Sequence, residues 1–266
     1  MTEKTIIFTD LDGTLLDPVT YSPKAAEPAL DLTRQKRIPV VFVSSKTRAE
    51  LEVWRKRLDN HHPFVVENGG GIYIPERYFS FPVQGALRDG YRVICLGTPY
   101  QQVRMQFVQM RERLKIAVRG FGDMSLEEVV QRTGLTREDA ALAKQREFSE
   151  PFLFTGVPDD RFLQAIEGEK LRWTQGQFFH VMGNHHKGRA VALLRSLYER
   201  EQGRMVSVGI GDSLNDLPFL LAVDRPVLVK RRSGRHDERI AIPGMLRTEH
   251  KGPEGWNEAV LGLMKQ

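Results

Sequence analysis

An internal disulfide is excluded at the outset, because the 266 residues include a single cysteine, Cys95. That usage fits a cytoplasmic setting. Cys95 lies in the apolar run YRVICL and is expected to be a buried structural thiol, not a nucleophile. No apolar run approaches the ~20 residues of a membrane span, and the opening MTEKTIIFTD lacks the basic, apolar and small-residue series of a signal peptide. Repeats and low-complexity segments are missing as well. The basic residues are scattered. Their densest run, Lys230-Arg231-Arg232 with Arg235, has no interleaved aromatics and reads as a solvated loop and not as a nucleic-acid patch. These absences point away from membrane and nucleic-acid partners. The net charge of +5 suits a small anionic substrate equally well.

What is present is an ordinary globular balance, 41% hydrophobic and 27% charged. The first third alternates strand and helix signals. Thr5–Thr9 is a short apolar strand, residues 22–36 read as a helix in which Pro28 marks a kink or a later start, and Pro39–Val43 is a buried strand. Thr47 and Glu50 form a capping box opening a helix to about Leu58. Strands follow at Phe64–Val66 and Ile72–Ile74, across the turn Glu67-Asn68-Gly69-Gly70-Gly71. The same grammar returns late, with a helix from Lys187, a strand at Met205–Ile210, a short helix at Asn215–Ala222, a strand at Val227–Val229 and a final helix. Between residues 84 and 183, strand-like segments at Tyr91–Leu96, Phe152–Thr155, Leu171–Thr174 and Gln177–Val181 mix with four helices, two of them opened by Ser125…Glu128 and Thr136…Asp139 capping boxes. The expectation is an α/β fold: a Rossmann-like parallel-sheet core, residues 1–83 and 184–266, split by an inserted α+β cap domain, residues 84–183.

Four places carry chemistry. In IIFTDLDGT a buried strand runs into Asp10 and Asp12, which alternation sends to one side while the strand lasts. Two close carboxylates repel and invite a cation. In VSSKT, Ser44 follows a second buried strand at a helix start, where hydroxyls and N–H groups suit phosphate oxygens, although Ser and Thr are also ordinary helix caps. Lys187 opens a helix against the macrodipole, a misfit that an anionic ligand would relieve. In VGIGDSLND, Asp212, Asn215 and Asp216 cluster after a buried strand as the oxygen donors a hard cation prefers. Each begins at the carboxyl end of a core strand or the mouth of a core helix, so the four can converge on one sheet edge.

The ordered set DLDGT, SSKT, Lys187 and GDSLND resembles the haloacid dehalogenase superfamily of phosphatases. VENGGGIYIP, GYRVICLGTPYQQVR, GFGDMSLEEVVQRTGL, AKQREFSEPFL and KGPEGW are similar to mannosyl-3-phosphoglycerate phosphatases, a likeness that runs through the insertion. The resemblance implies Asp10 as nucleophile, Asp12 as acid and base, Ser44 and Lys187 on phosphoryl oxygens, and Mg2+ held by Asp10, Asp212 and the Asp12 carbonyl. It also implies Asn215 and Asp216 as orienting groups. A substrate carrying phosphate, glycerate carboxylate and hexose would need a cation for the carboxylate, with Arg146 and Lys46 as candidates. Glu67, Asn68, Glu147 and His180 are candidates for sugar hydroxyls. A surface Arg146–Glu147 pair and a hairpin-capping His180 are the bland alternatives. His185-His186 read as a solvated loop, since no carboxylate or cysteine set for zinc surrounds them. Rival readings are a phosphatase for sucrose- or trehalose-phosphate, a phosphomutase, or a silent binding protein on the same scaffold.

Overall fold

The computed structural model describes residues 4–265. The chain opens with β1 (Thr5–Thr9), α1 (Glu27–Gln35), β2 (Val40–Val43), α2 (Arg48–Arg57), β3 (Phe64–Val66) and β4 (Gly71–Pro75). The hairpin β5 (Ala86–Arg88) and β6 (Tyr91–Cys95) follows. Next come α3 (Tyr100–Leu114), β7 (Val118–Gly120), α4 (Leu126–Thr133), α5 (Arg137–Ala143), β8 (Ser149–Phe154), α6 (Asp160–Gly168), β9 (Arg172–Gln175) and β10 (Phe179–Met182). The chain closes with α7 (Lys187–Gln202), β11 (Val206–Gly211), α8 (Leu217–Leu220), β12 (Arg225–Lys230), β13 (Leu246–Lys251) and α9 (Gly252–Leu263). Pro28 marks a later start and not a kink: it sits in the first turn of α1, where its missing N–H has no partner to lose. The Thr47 capping box opens α2 with both its bonds in place.

The large sheet has the order β13-β12-β11-β1-β2-β3-β4-β6-β5. Its strands from β13 to β3 are parallel, and β4, β6 and β5 add on antiparallel. From β1 the chain winds outward through β2 and β3, then returns to β1's other flank with β11, β12 and β13. The strand order therefore reverses at β1, the point where open α/β sheets bind ligands beyond the strands' carboxyl ends. Strict alternation along β1 feeds two cores. Ile7 packs with Phe42, Phe64, Leu30 of α1 and Trp256 and Val260 of α9. Ile6 and Phe8 pack with Val41, Val43 and, from α7, Ala190, Val191 and Leu194.

A second sheet, β7-β8-β10-β9, is antiparallel throughout. Phe152 and Val181 on one face pack under Val103 and Phe107 of α3 and Phe162 of α6. Helices α4 and α5 close a smaller cluster around Phe121 and Met124.

Two expectations are corrected. The strand at Tyr91–Leu96 is expected within the insertion, yet the β5–β6 hairpin extends the large sheet, with Tyr73 opposite Val93 and Pro75 opposite Tyr91. It covers the edge β4 would otherwise expose and buries Val93 against the core. Cys95 is exposed, not buried. It ends β6 opposite Gly71, which has no side chain to cover it. No helix among the described residues is long and apolar enough to cross a membrane.

Candidate active site

Register brings the motifs to one place. Thr9 pairs with Phe42 on one side and Ile210 on the other, so Ser44 and Asp212, each two residues further along its own chain, flank the chain just past Asp10. The Asp10 N–H donates to the Ile210 carbonyl at 2.9 Å, which keeps Asp10 in line with β1. Alternation places it on the Ile6 and Phe8 face, toward α7. There the Lys187 Nζ lies 2.7 Å from Asp10 Oδ1 and 2.6 Å from Asp216 Oδ1, fully buried. The lysine that misfits its helix start is thus neutralised from across the site. Asp216 Oδ2 in turn accepts the N–H groups of Asp212 at 2.9 Å and Ser213 at 3.1 Å. Gly13, at φ +80°, gives Asp212 its room: a Cβ there would stand 2.9 Å from Asp212 Oδ2.

Asp10, Asp212 and Asp216 bring carboxylate oxygens within 4.8 Å of one another. Burial pushes Asp10 up to about 7, with Asp216 and Asp12 adding to it and Lys187 opposing. Burial, then Asp216 and Asp10, push Asp212 well up too. Burial works against the Lys187 charge, but Asp10 and Asp216 outweigh it and hold the ammonium above its usual range. Three buried carboxylates thus face one ammonium. Asp212 Oδ1, buried and without a hydrogen-bond partner, leaves a donor to spare. An oxygen-only donor set with excess negative charge fits a hard divalent cation.

The Asp12 carboxylate stands apart from this cluster. The strand ends at Thr9, and the chain turns back through the Leu16 N–H to Leu11 carbonyl bond at 2.8 Å, so alternation stops short of Asp12, which still lines the same cavity as Asp10. Asp12 Oδ2 pairs with Lys46 Nζ at 2.9 Å, and its Oδ1 is buried without a partner. Lys46 also reaches Glu50 at 3.5 Å. Burial opposes its charge, and the two carboxylates more than offset this, holding it above the usual range.

Above these groups opens a cavity of about 560 Å³. Asp10, Asp12, Asp212, Ser213 and Asn215 line it from the strand ends, and Tyr21, Ser45 and Lys46 from the first loops. Phe121, Arg146, Pro151, Gln177, Phe178 and His180 line it from the smaller sheet's side, and Arg231, Arg232 and Ser233 from the loop after β12. Alternation explains His180 and Pro151: Phe152 and Val181 point into the opposite core. Burial, then Arg146 and Lys187, push His180 down to about 3, so the ring is neutral, and its Nδ1 has no partner. Ser44 lies beneath this surface with its Oγ accepting from the Lys46 N–H at 3.2 Å. Asn68 is also buried below it, its Oδ1 accepting from Asn215 Nδ2 at 3.2 Å.

Glu67 and Glu147 are corrected. Glu67 is completely buried and faces no cavity. Its carboxylate accepts the N–H groups of Glu147, Phe148 and Ser149 at 2.6, 3.0 and 2.8 Å and the Ser149 hydroxyl at 2.8 Å, and pairs with Arg146 Nε at 3.2 Å. It pins the start of β8 to the turn after β3. Glu147 accepts instead from the Tyr73 hydroxyl at 2.9 Å. Arg146 is therefore not half of a surface pair: its Nη2 also donates to the Ser45 carbonyl at 3.0 Å and the Ser149 hydroxyl at 2.7 Å. His185 is buried, not solvated, with Nε2 3.2 Å from the Glu67 carbonyl oxygen, while His186 caps α7. Sequence reasoning missed Tyr21, Phe121, Gln177 and the Arg231–Ser233 loop. The signal for the last was available, because a basic run directly after a core strand sits on the ligand-binding edge.

The model of the haloacid dehalogenase-like hydrolases matches residues 7–80. The chain is 43% identical to a glucosyl-3-phosphoglycerate/mannosyl-3-phosphoglycerate phosphatase of Methanococcoides burtonii, over 98% of this chain and 97% of that one. It is 38% identical to a mannosyl-3-phosphoglycerate phosphatase of Pyrococcus furiosus, over 84% and 90%. A sucrose-phosphatase of Synechocystis sp., solved with sucrose and phosphate, superposes over 99% of both chains with a TM-score of 0.65, at 12% identity that speaks for the fold alone. With identity of this order over nearly the whole chain, the large sheet and the smaller sheet alike, the chain belongs to the mannosyl-3-phosphoglycerate phosphatase family of haloacid dehalogenase-like hydrolases.

Proposed function

We propose that this chain hydrolyses mannosyl-3-phosphoglycerate, and its glucosyl counterpart, to the sugar glycerate and inorganic phosphate. The observation that carries the reading is Asp10: a buried carboxylate held by Lys187 at the floor of a sugar-sized cavity, in a chain whose near-full-length relatives bear those names. Phosphate monoesters need rate enhancements up to roughly 10²¹-fold, while one acid or base supplies only about 10²–10⁴. Several groups must therefore act together.

In this reading Asp10 attacks phosphorus and becomes an aspartyl-phosphate. Asp12 gives its proton to the leaving glycerate oxygen, then takes one from the water that cleaves the adduct. Lys187 and Ser44 hold phosphoryl oxygens, and Asp216 keeps Lys187 and the Asp212 backbone in place. Asn215, bonded to Asn68 and Ser213, orients the same corner. Asp10, Asp212 and the Asp12 carbonyl would hold Mg2+. When bound, that ion offsets charge between the nucleophile and the phosphoryl group. The segment between β6 and α7 would serve as the cap that selects the substrate, with Arg146 and His180 on its cavity face and Lys46 opposite. A cytoplasmic location fits both the phosphorylated substrate and a lone exposed thiol.

The test is phosphate release from mannosyl-3-phosphoglycerate and glucosyl-3-phosphoglycerate beside sucrose 6-phosphate, trehalose 6-phosphate and glucose 6-phosphate, with and without Mg2+. The glycerate esters should turn over fastest, and only with the metal. Preference for an ester without a carboxylate would overturn the substrate.

A further inference from the structure

Four cationic side chains line the cavity: Lys46, Arg146, Arg231 and Arg232. Three are already committed to carboxylates. Lys46 pairs with Asp12 and Glu50, Arg146 with Glu67, and Arg231 with Asp237 at 3.3 Å. Among the described residues Arg232 has no hydrogen bond or ion pair, although it faces the same cavity as Asp10.

Its backbone is nevertheless held. The turn after β12 closes with the Gly234 N–H donating to the Arg231 carbonyl at 2.9 Å and the Arg231 N–H donating to the Arg235 carbonyl at 3.0 Å. Buried Asp237 fastens the far side of the loop, accepting from Arg231 Nη1 and from Arg239 Nε and Nη2, the last two at 2.9 and 2.7 Å. Arg239 Nη1 also reaches across to Gln175 Oε1 at 3.3 Å, beside the Gln177 and Phe178 that line the cavity. The loop is thus tied to both sheets and carries a free guanidinium at their junction. Neighbouring Ser233 accepts the Arg235 N–H at 3.4 Å, which leaves its own O–H to donate.

We infer that Arg232 is the residue that pairs with the substrate's second anionic group, the glycerate carboxylate. This rests on the substrate reading above. In such a substrate the carboxylate sits two carbons from the phosphate-bearing carbon, so one ligand carries both anions into one cavity. A paired cation offers a new anion a charge that its own carboxylate already offsets, whereas Arg232 carries its full charge and gives up only water. Its planar fork matches a carboxylate with two parallel bonds. Arg146 and Lys46 then shape the site and balance its charge, and Arg232 discriminates.

The experiment uses the purified chain with p-nitrophenyl phosphate as reporter and two competitors, 3-phosphoglycerate and glycerol 3-phosphate. They share a phosphate on a three-carbon frame and differ in the carboxylate. Wild type should favour 3-phosphoglycerate. In Arg232→Gln the ratio of the two inhibition constants should shift toward glycerol 3-phosphate by about tenfold, the order of one charge-assisted hydrogen bond. Arg232→Lys should recover part of the preference. An unchanged ratio in Arg232→Gln overturns the assignment, and so does loss of preference in Arg146→Gln while Arg232→Gln keeps it. Hydrolysis of mannosyl-3-phosphoglycerate by the wild type is scored separately. Failure there, with the competitor ratio still dependent on Arg232, would remove the substrate reading and leave the carboxylate site standing.

Discussion

Trp256 and Thr9 are bonded across the whole chain: the indole N–H donates to the Thr9 hydroxyl at 3.0 Å. That hydroxyl donates onward to the carbonyl of Asp10 at 2.8 Å, so a tryptophan in the core of α9 steadies the residue proposed as the nucleophile. Trp256→Phe keeps most of the buried ring and removes the donor. It should cost about 1 kcal/mol of stability, read by urea unfolding, and lower kcat with little change in KM. A variant that lost stability and kept full kcat would make the bond purely structural.

Glu67 should matter to folding before it matters to catalysis. It satisfies three backbone N–H groups of the segment leading into β8 and the guanidinium of Arg146, all out of water. Removing one partner of a buried ion pair costs about 3–5 kcal/mol. Glu67→Gln should lose an amount of that order in urea unfolding. Adding Arg146→Met should cost less than the sum of the two single changes.

Three histidines set an acid limit. Burial, followed by neighbouring positive charge, pushes His62 and His180 down to about 4 and about 3. Burial alone dominates at His185, also about 4, where the bond to the Glu67 carbonyl works the other way. The unfolded chain takes up protons near 6.5 while the folded chain resists. The histidines' contribution to stability should therefore be level above about pH 6.5 and fall as the pH drops toward 4, against an opposite slope from Asp10 and Asp212, whose raised values mean that the folded chain binds the extra protons there. Each histidine removes up to ~1.4 kcal/mol for every pH step of one through which only the unfolded chain is protonated. Urea midpoints against pH check this as a difference: the gap between wild type and His185→Gln should change as the pH falls from about 6.5 toward 4 and stay constant above it.

Magnesium binding should release protons. Asp10 sits near 7 and Asp212 is raised well above its ordinary value, so the metal-free site holds protons that a cation must displace. Titration calorimetry in two buffers of different ionisation enthalpy should show proton release at pH 6 and a tighter affinity at pH 8. An affinity independent of pH across that range would place the metal elsewhere.

The sites at strand ends were legible in sequence because short-range signals mark them. An apolar run that stops at Asp10, one that stops at the Gly211-Asp212 pair, and a lysine against its own helix dipole each need no knowledge of the far chain. Register then made them converge. The Glu67 tether was not legible, because its partners Arg146, Glu147, Phe148 and Ser149 lie some eighty residues on and the glutamate resembles any other polar turn residue. Nor was the place of the β5–β6 hairpin, since an antiparallel strand pairs equally well with any open edge and only the exposed flank of β4 decides which. Arg232 reads as merely solvated in the sequence because composition reports charge and not which charges remain unpaired after folding.

The chemistry proposed for this chain turns on Asp10 as nucleophile. The direct test is phosphate release from mannosyl-3-phosphoglycerate by Asp10→Asn with Mg2+ present, after circular dichroism has shown the variant to be folded. The amide keeps the shape of the side chain and removes the attacking oxyanion, so no release above the blank is expected. Turnover at the wild-type rate would contradict the mechanism at its first step.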